Sequence, residues 1–316
     1  ALPVGVVNSL AWHESGRELG LSLSSARAPS DLYSVDFDQQ RVERWTESET
    51  GCRNTAAFAE AEVVRWKSFD GRTISGLLFK PPARFTGPRP VVINIHGGPE
   101  GQSRPTFLGR NNFLIDQLGV AILYPNVRGS TGFGKSFAKL DNGRLREDSV
   151  KDIGALLDWL RTRPDLDASR VMVTGGSYGG CTPAMALTTG APKCNYGLAS
   201  APVSDWRLYD TVYTERFMDR PSENADGYKD GAVLTWMDKY TGGLRLTHGT
   251  IDDNVHMQNS MQVVDWLTEH DKPFELMLYP DSRHGLQASQ RKHSAREAHD
   301  FWVRTLLGGK LPQPPV

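Results

Sequence analysis

Residues 171–180 read VMVTGGSYGG, and no other stretch constrains the fold so tightly. A β-branched run (Val171, Val173, Thr174) ends in Gly175-Gly176-Ser177-Tyr178-Gly179-Gly180, and the helix-compatible segment CTPAMALTT follows. A strand that turns this sharply into a helix forces strained backbone angles on the residue at the tip. Flanking glycines remove the Cβ atoms that would clash there. The pattern predicts a Ser177 hydroxyl exposed at a helix N-terminus, where anionic charge is stabilised. In a chain with 31 glycines the spacing G-x-S-x-G also fits a plain Gly-rich turn capped by serine. Only the surrounding elements and two downstream partners favour a nucleophile.

Residues 244–247 (LRLT) read as a short strand running into His248-Gly249-Thr250-Ile251-Asp252-Asp253-Asn254-Val255-His256. Residues 274–279 (FELMLY) read as another, running into Pro280-Asp281-Ser282-Arg283-His284-Gly285. An acid and a base thus fall just past the carboxyl ends of strands, the edge where an open α/β sheet collects its functional groups. The order Ser177, Asp252, His284 is that of α/β-hydrolases. A serine hydroxyl is a poor nucleophile until a histidine takes its proton, and a buried carboxylate fixes the imidazole tautomer and stabilises the imidazolium. Asp252 is preferred to Asp253 because the first acid after the strand and turn lies nearer the sheet edge. Asp253 is expected to cap a helix beginning near Val255. Asp252 and His256 have the spacing of paired metal ligands, but no third ligand accompanies them, so no metal and no cofactor is expected. His13, His270, His293 and His299 fall in polar or helical stretches and read as surface residues.

Residues 91–95 (VVINI) read as a buried strand, followed by His96-Gly97-Gly98-Pro99. The loop is similar to the HGGG-type turn whose backbone N–H groups face a developing oxyanion. The Tyr178 N–H, directly after Ser177, is the first expected donor; Gly98 is the second, with Gly97 next in line. A plain Gly-Gly-Pro turn is the competing reading.

Three segments are expected. Residues 1–50 hold four short strands separated by polar turns, the content of one propeller blade. Residues 51–90 form a linker and a β-hairpin turning at Asp70-Gly71. Residues 91–310 alternate strands and helices, with helices expected near 106–118 and 147–161, which predicts an α/β fold with a mostly parallel central sheet. Residues 201–235 interrupt that rhythm with an aromatic, turn-rich insertion over the sheet edge. Tyr209 and Tyr213, four apart, would share one face of a helix. With Trp206 they either wall a small apolar pocket or pack the insertion onto the sheet.

With 36 Lys and Arg against 37 Asp and Glu, the chain shows no nucleic-acid footprint, and no apolar run approaches membrane-spanning length. The sequence ALPVGVVNSL lacks the pattern of a signal peptide, and the compartment stays open. Cys52, Cys181 and Cys194 are too few for a disulfide framework. Cys181 is expected to pack in the core.

Taken together, HGGP, RGSTGFG, GGSYGG, SAPVSDW, YDTVYTERFM, HGTIDDNVH and the final RHG resemble the prolyl oligopeptidase family of serine peptidases across residues 60–310. SAPVSDWRLYDTVYTERFM and HGTIDDNVH are most similar to the dipeptidyl peptidase IV type. HGGP is similar to the acylaminoacyl peptidase branch, since the dipeptidyl branch has a tyrosine where this chain has His96. The resemblance implies an α/β-hydrolase preceded by a β-propeller, with residues 1–50 resembling its last blade. It places Ser177, Asp252 and His284 on the triad. Tyr209 and Tyr213, helped by Trp206 and Val203, fall on a pocket favouring proline or alanine before the cleaved bond. Asn254 falls on a residue that hydrogen-bonds a substrate carbonyl. The propeller glutamate pair that holds a substrate amino terminus has no counterpart, because the sequence contains no Glu-Glu pair. The implied activity is cleavage of short peptides through an acyl-enzyme. A carboxylesterase of short acyl esters is the alternative, and a non-catalytic fragment the lesser one. A homo-oligomer is left open.

Overall fold

The computed structural model describes residues 2–51, 54–188 and 194–310; Cys52 lies outside them. Four antiparallel strands come first: β1 (Gly5–Trp12), β2 (Glu18–Ser25), β3 (Asp31–Asp36) and β4 (Arg41–Arg44). They pair in chain order into one sheet. Leu21, Leu23 and Tyr33 form a small core of their own. Leu10, Trp12, Phe37 and Trp45 stay exposed. The sheet meets the rest of the chain through Ala26, which joins the larger core, and through the Ser24 hydroxyl, which accepts from the Phe107 N–H at 3.3 Å.

The second sheet has eight strands in the order β12-β11-β10-β9-β7-β8-β6-β5. The hairpin β5 (Glu62–Lys67) and β6 (Thr73–Phe79) forms one antiparallel edge. The other six strands run parallel: β7 (Arg89–Ile95), β8 (Ala121–Asn126), β9 (Leu166–Gly176), β10 (Tyr196–Ser200), β11 (Gly243–Gly249) and β12 (Phe274–Tyr279). The expected α/β class with a mostly parallel sheet is what the chain adopts.

The helices are α1 (Asn112–Leu118), α2 (Lys135–Ala138), α3 (Asp148–Leu160), α4 (Tyr178–Ala186), α5 (Thr211–Met218), α6 (Ala225–Asp230), α7 (Gln258–Glu269) and α8 (Ala288–Leu307). Alternate residues of a strand face opposite sides. Val91, Ile93 and Ile95 pack with Ile153 and Leu157 of α3, Met185 of α4 and Val263 of α7. Val92 packs with Leu114 of α1 and Trp302 of α8 on the other face. α1 begins at Asn112 rather than near 106, because residues 109–111 form a tighter turn entered with Gly109 at φ +54°. Cys181 and Cys194 are both buried. Among the described residues no helix is long and apolar enough to cross a membrane.

Candidate functional site

The strand-to-helix turn is where the sequence placed it. Ser177 caps α4 at φ 58° and ψ −125°, a conformation that costs about 1–3 kcal/mol for a residue with a Cβ. Its N–H donates to Ser200 O at 2.9 Å, and its carbonyl accepts from the Gly180 N–H at 2.9 Å. The glycines serve close approach. A Cβ on Gly175 would lie 2.3 Å from Gly179 O, and one on Gly179 would lie 2.3 Å from Ile95 O. Strand β7, strand β9 and helix α4 are therefore pinched together at the serine.

The two downstream loops meet at the same sheet edge, past β11 and β12. The His284 Nδ1–H donates to Asp252 Oδ2 at 2.8 Å. The Asp252 side chain is fully buried, whereas the His284 ring is 31% exposed. Asp252 Oδ1 accepts from the N–H groups of Asn254 and Val255, both at 3.0 Å. The caps are reversed from the expectation: Asp252 closes this turn, α7 starts only at Gln258, and Asp253 points outward to pair with Arg283. Among the described residues Ser177 and His284 share no hydrogen bond. Such contacts are often long in the absence of substrate.

His248 was not singled out in the sequence, yet it backs the carboxylate. Its Nε2–H donates to Val255 O at 2.8 Å, and its Nδ1 accepts from the Ser260 hydroxyl at 2.7 Å. Nε2 is also 3.4 Å from Asp252 Oδ2. Burial holds its pKa below the usual histidine value, so it supports Asp252 as a neutral dipole. His256 is exposed, as are His13, His270 and His293. His299 departs from the surface expectation: it is half-buried against Trp302.

Tyr178 is the first residue of α4, so its N–H lacks an intrahelical partner. The loop after β7 lies alongside: a Cβ on Gly97 would approach Ser177 Cβ to 3.5 Å. Gly98 takes φ +120°, where a Cβ would strike the Glu100 N–H nitrogen at 2.4 Å. The His96 ring anchors this loop. Its Nδ1–H donates to Gly97 O at 2.8 Å, and Nε2 accepts from the Ser130 hydroxyl at 3.0 Å. Burial lowers its pKa as well.

Val203, Trp206 and Tyr178 belong to a buried cluster against which Tyr209 and Tyr213 pack. The two tyrosines do not share a helix. Tyr209 ends a one-turn segment in extended conformation, Asp210 caps α5 by accepting from the Tyr213 N–H, and the rings meet edge-on at 5.3 Å. Tyr213 stacks on Trp206 at 5.9 Å. The Tyr209 hydroxyl donates to Asn254 Oδ1 at 2.8 Å, which joins two residues singled out separately. An open cleft of about 770 Å³ runs past Tyr209, Asp253, Asn254 and His256.

Charged groups beside this cluster carry no sequence signal. Arg146 and Asp141 form a buried pair at 2.8 Å. Burial pushes the Asp141 carboxyl up to about 7 against the opposing attraction of Arg146. The Tyr213 hydroxyl lies 3.0 Å from both Gly98 O and Glu100 Oε2.

The chain matches the model of the prolyl oligopeptidase family over residues 105–309. It is 32% identical over 242 residues to dipeptidyl peptidase 8 of Homo sapiens, a match covering 74% of this chain and 27% of that protein. Dipeptidyl aminopeptidase A of Saccharomyces cerevisiae is 32% identical over 72% of this chain and 25% of its own length. The chain thus spans about a quarter of each of these relatives. Dipeptidyl peptidase 4 of Porphyromonas gingivalis superposes with a TM-score of 0.85 at 28% identity, covering 97% of this chain and 44% of that one. Acylaminoacyl peptidase of Pyrococcus horikoshii shares the fold, at TM-score 0.83 and 22% identity, over 100% of this chain and 52% of that one.

Proposed function

Because the chain belongs to the prolyl oligopeptidase family, we propose that it is a serine hydrolase that cleaves acyl bonds through an acyl-enzyme. The observation that carries this reading is the His284–Asp252 hydrogen bond at the same sheet edge as a strained Ser177. Ser177 attacks the acyl carbon. His284 Nε2 takes the hydroxyl proton and returns it to the leaving group, and Asp252 holds the proton on Nδ1. The N–H groups of Tyr178 and Gly98, with Gly97 adjacent, stabilise the oxyanion; one such donor is worth about 3 to 4 kcal/mol. Tyr209, Tyr213, Trp206 and Val203 wall a pocket for a small apolar residue or proline before the scissile bond, and Asn254 meets a substrate carbonyl. Short peptides are the proposed substrates, because the similar proteins named above are peptidases.

Two measurements test this. A fluorophosphonate should label the folded chain stoichiometrically at Ser177, and Ser177→Ala should abolish both labelling and turnover, with about a 10⁶-fold loss in kcat. Turnover of X-Pro and X-Ala arylamides is then compared with that of p-nitrophenyl esters. Brisk ester turnover without detectable arylamide cleavage would replace the peptidase by an esterase. A folded chain that resists the label would leave only binding.

A further inference from the structure

The aromatic cluster surrounds a cation that the proposed chemistry does not use. The Arg146 side chain is 3% exposed. Its guanidinium lies over the rings of Trp206 at 4.7 Å and of Tyr178 and Tyr213 at 5.6 Å each. Nη1 donates to Asp141 Oδ2 at 2.8 Å and to the Tyr213 hydroxyl at 3.3 Å. With a lone pair so engaged, the Tyr213 hydroxyl has one proton to give. Its acceptors are Gly98 O and the Glu100 carboxylate, both at 3.0 Å. Hydrogen bonds thus run from the buried Arg146–Asp141 pair to Tyr213 and on to Gly98 O and Glu100.

A buried guanidinium is costly to desolvate. Aromatic faces and one carboxylate offset part of that cost, yet Nε and Nη2 have no partner among the described residues. That cost argues against a purely stabilising role, because an apolar side chain of similar length would fill the same space without it. What a planar guanidinium supplies, and a methionine does not, is a fixed direction for the Tyr213 hydroxyl.

We propose that Arg146 is a positioning residue of the substrate pocket, fixing the direction of the Tyr213 hydroxyl and with it the Tyr213 wall of the pocket. The inference rests on the serine-hydrolase reading above and deepens it. Arg146 touches no reacting atom. Its effect therefore appears with substrates that fill the pocket and not with an acyl group too small to reach Tyr213.

The test measures kcat and KM for Ala and Pro arylamides and for p-nitrophenyl acetate, with fluorophosphonate labelling counting competent sites. The proteins are wild type, Arg146→Met, Arg146→Lys, Tyr213→Phe and the Arg146→Met/Tyr213→Phe double variant. Arg146→Met should raise KM for the arylamides about tenfold, the worth of one charge-assisted hydrogen bond, and leave acetate turnover within about twofold. The same change on Tyr213→Phe should add less than about twofold, since the shared bond is already gone. Arg146→Lys should recover part of the loss. Equal losses on acetate and arylamide, additive effects, or unchanged KM would overturn the inference. Should Arg146→Met fail to fold, Arg146→Lys in the wild-type and Tyr213→Phe backgrounds decides by the same criterion. A wild-type chain that neither labels nor cleaves removes the hydrolase reading and this inference with it. An active, labelled wild type with an indifferent Arg146 removes the inference alone.

Discussion

Adjacent aspartates 252 and 253 share a side-chain chemistry but differ in surroundings, and that difference decides their roles. Asp252 is fully buried, with one oxygen on His284 and the other on two backbone N–H groups. Asn at this position could still accept from the backbone, but its amide N–H₂ would oppose the His284 Nδ1–H and favour the wrong tautomer. The expected result is a folded protein whose kcat falls about 10⁴-fold. Asp253 is exposed and pairs with an exposed Arg283, an interaction worth at most about 1 kcal/mol. Asp253→Asn should therefore change kcat by less than about twofold. Steady-state kinetics of both variants on one ester substrate check the ranking, and a larger loss at 253 would reassign the acid.

At the scale of elements, the crossing of β7, β9 and α4 sets where the Ser177 hydroxyl and the Tyr178 N–H point. Gly179→Ala would bring a Cβ to 2.3 Å from Ile95 O and 2.7 Å from His96 O. Both are backbone atoms at the end of β7, where the chain enters the Gly97-Gly98 loop, so α4 must back away. Overpacking of this kind costs about 1–3 kcal/mol, and a displaced oxyanion donor costs roughly 10²–10³ in kcat. Thermal melts and ester kinetics on the variant read the two effects separately; unchanged activity would show that the crossing tolerates a methyl group. The turn from β9 into α4 was legible in the sequence because it is local: a β-branched strand, a glycine-flanked serine and a helix lie within about fifteen residues. The strands of the parallel sheet were legible for the same reason. What could not be read depends on contacts between distant segments. Arg146 meets Tyr213 across 67 positions, and Tyr213 meets Glu100 across 113, with no periodicity or motif to announce either. The placement of Tyr209 and Tyr213 on one helix misread local chemistry: Asp210 caps α5 between them, so tertiary packing, rather than helical spacing, joins their rings.

For the whole molecule, one contribution to the pH dependence of stability comes from a histidine far from Ser177 in the chain. His299 lies on α8, whose Trp302 and Leu306 close one face of the sheet with Leu114 and Ile115 of α1. Its Nε2 is 3.4 Å from Asn111 Oδ1. Burial, helped by the nearby Arg110 charge, pushes its pKa down to about 4. In the unfolded chain the ring takes a proton near its ordinary value of about 6.5. Between those two values the unfolded state binds more protons than the folded one, so stability falls as pH drops through this window and is unaffected by His299 above it. The shift corresponds to at most about 3 kcal/mol once the pH reaches the folded value. His299→Gln keeps a polar group facing Asn111 and removes the titration. Urea unfolding of both proteins from pH 7.5 to 4.5 should show similar stabilities at the upper end, and a shallower decline for the variant below about 6.5. Carboxylates titrating in the same range contribute equally to both proteins, so the difference between the curves isolates the ring at 299. Parallel curves would mean that this ring is protonated in the fold without penalty.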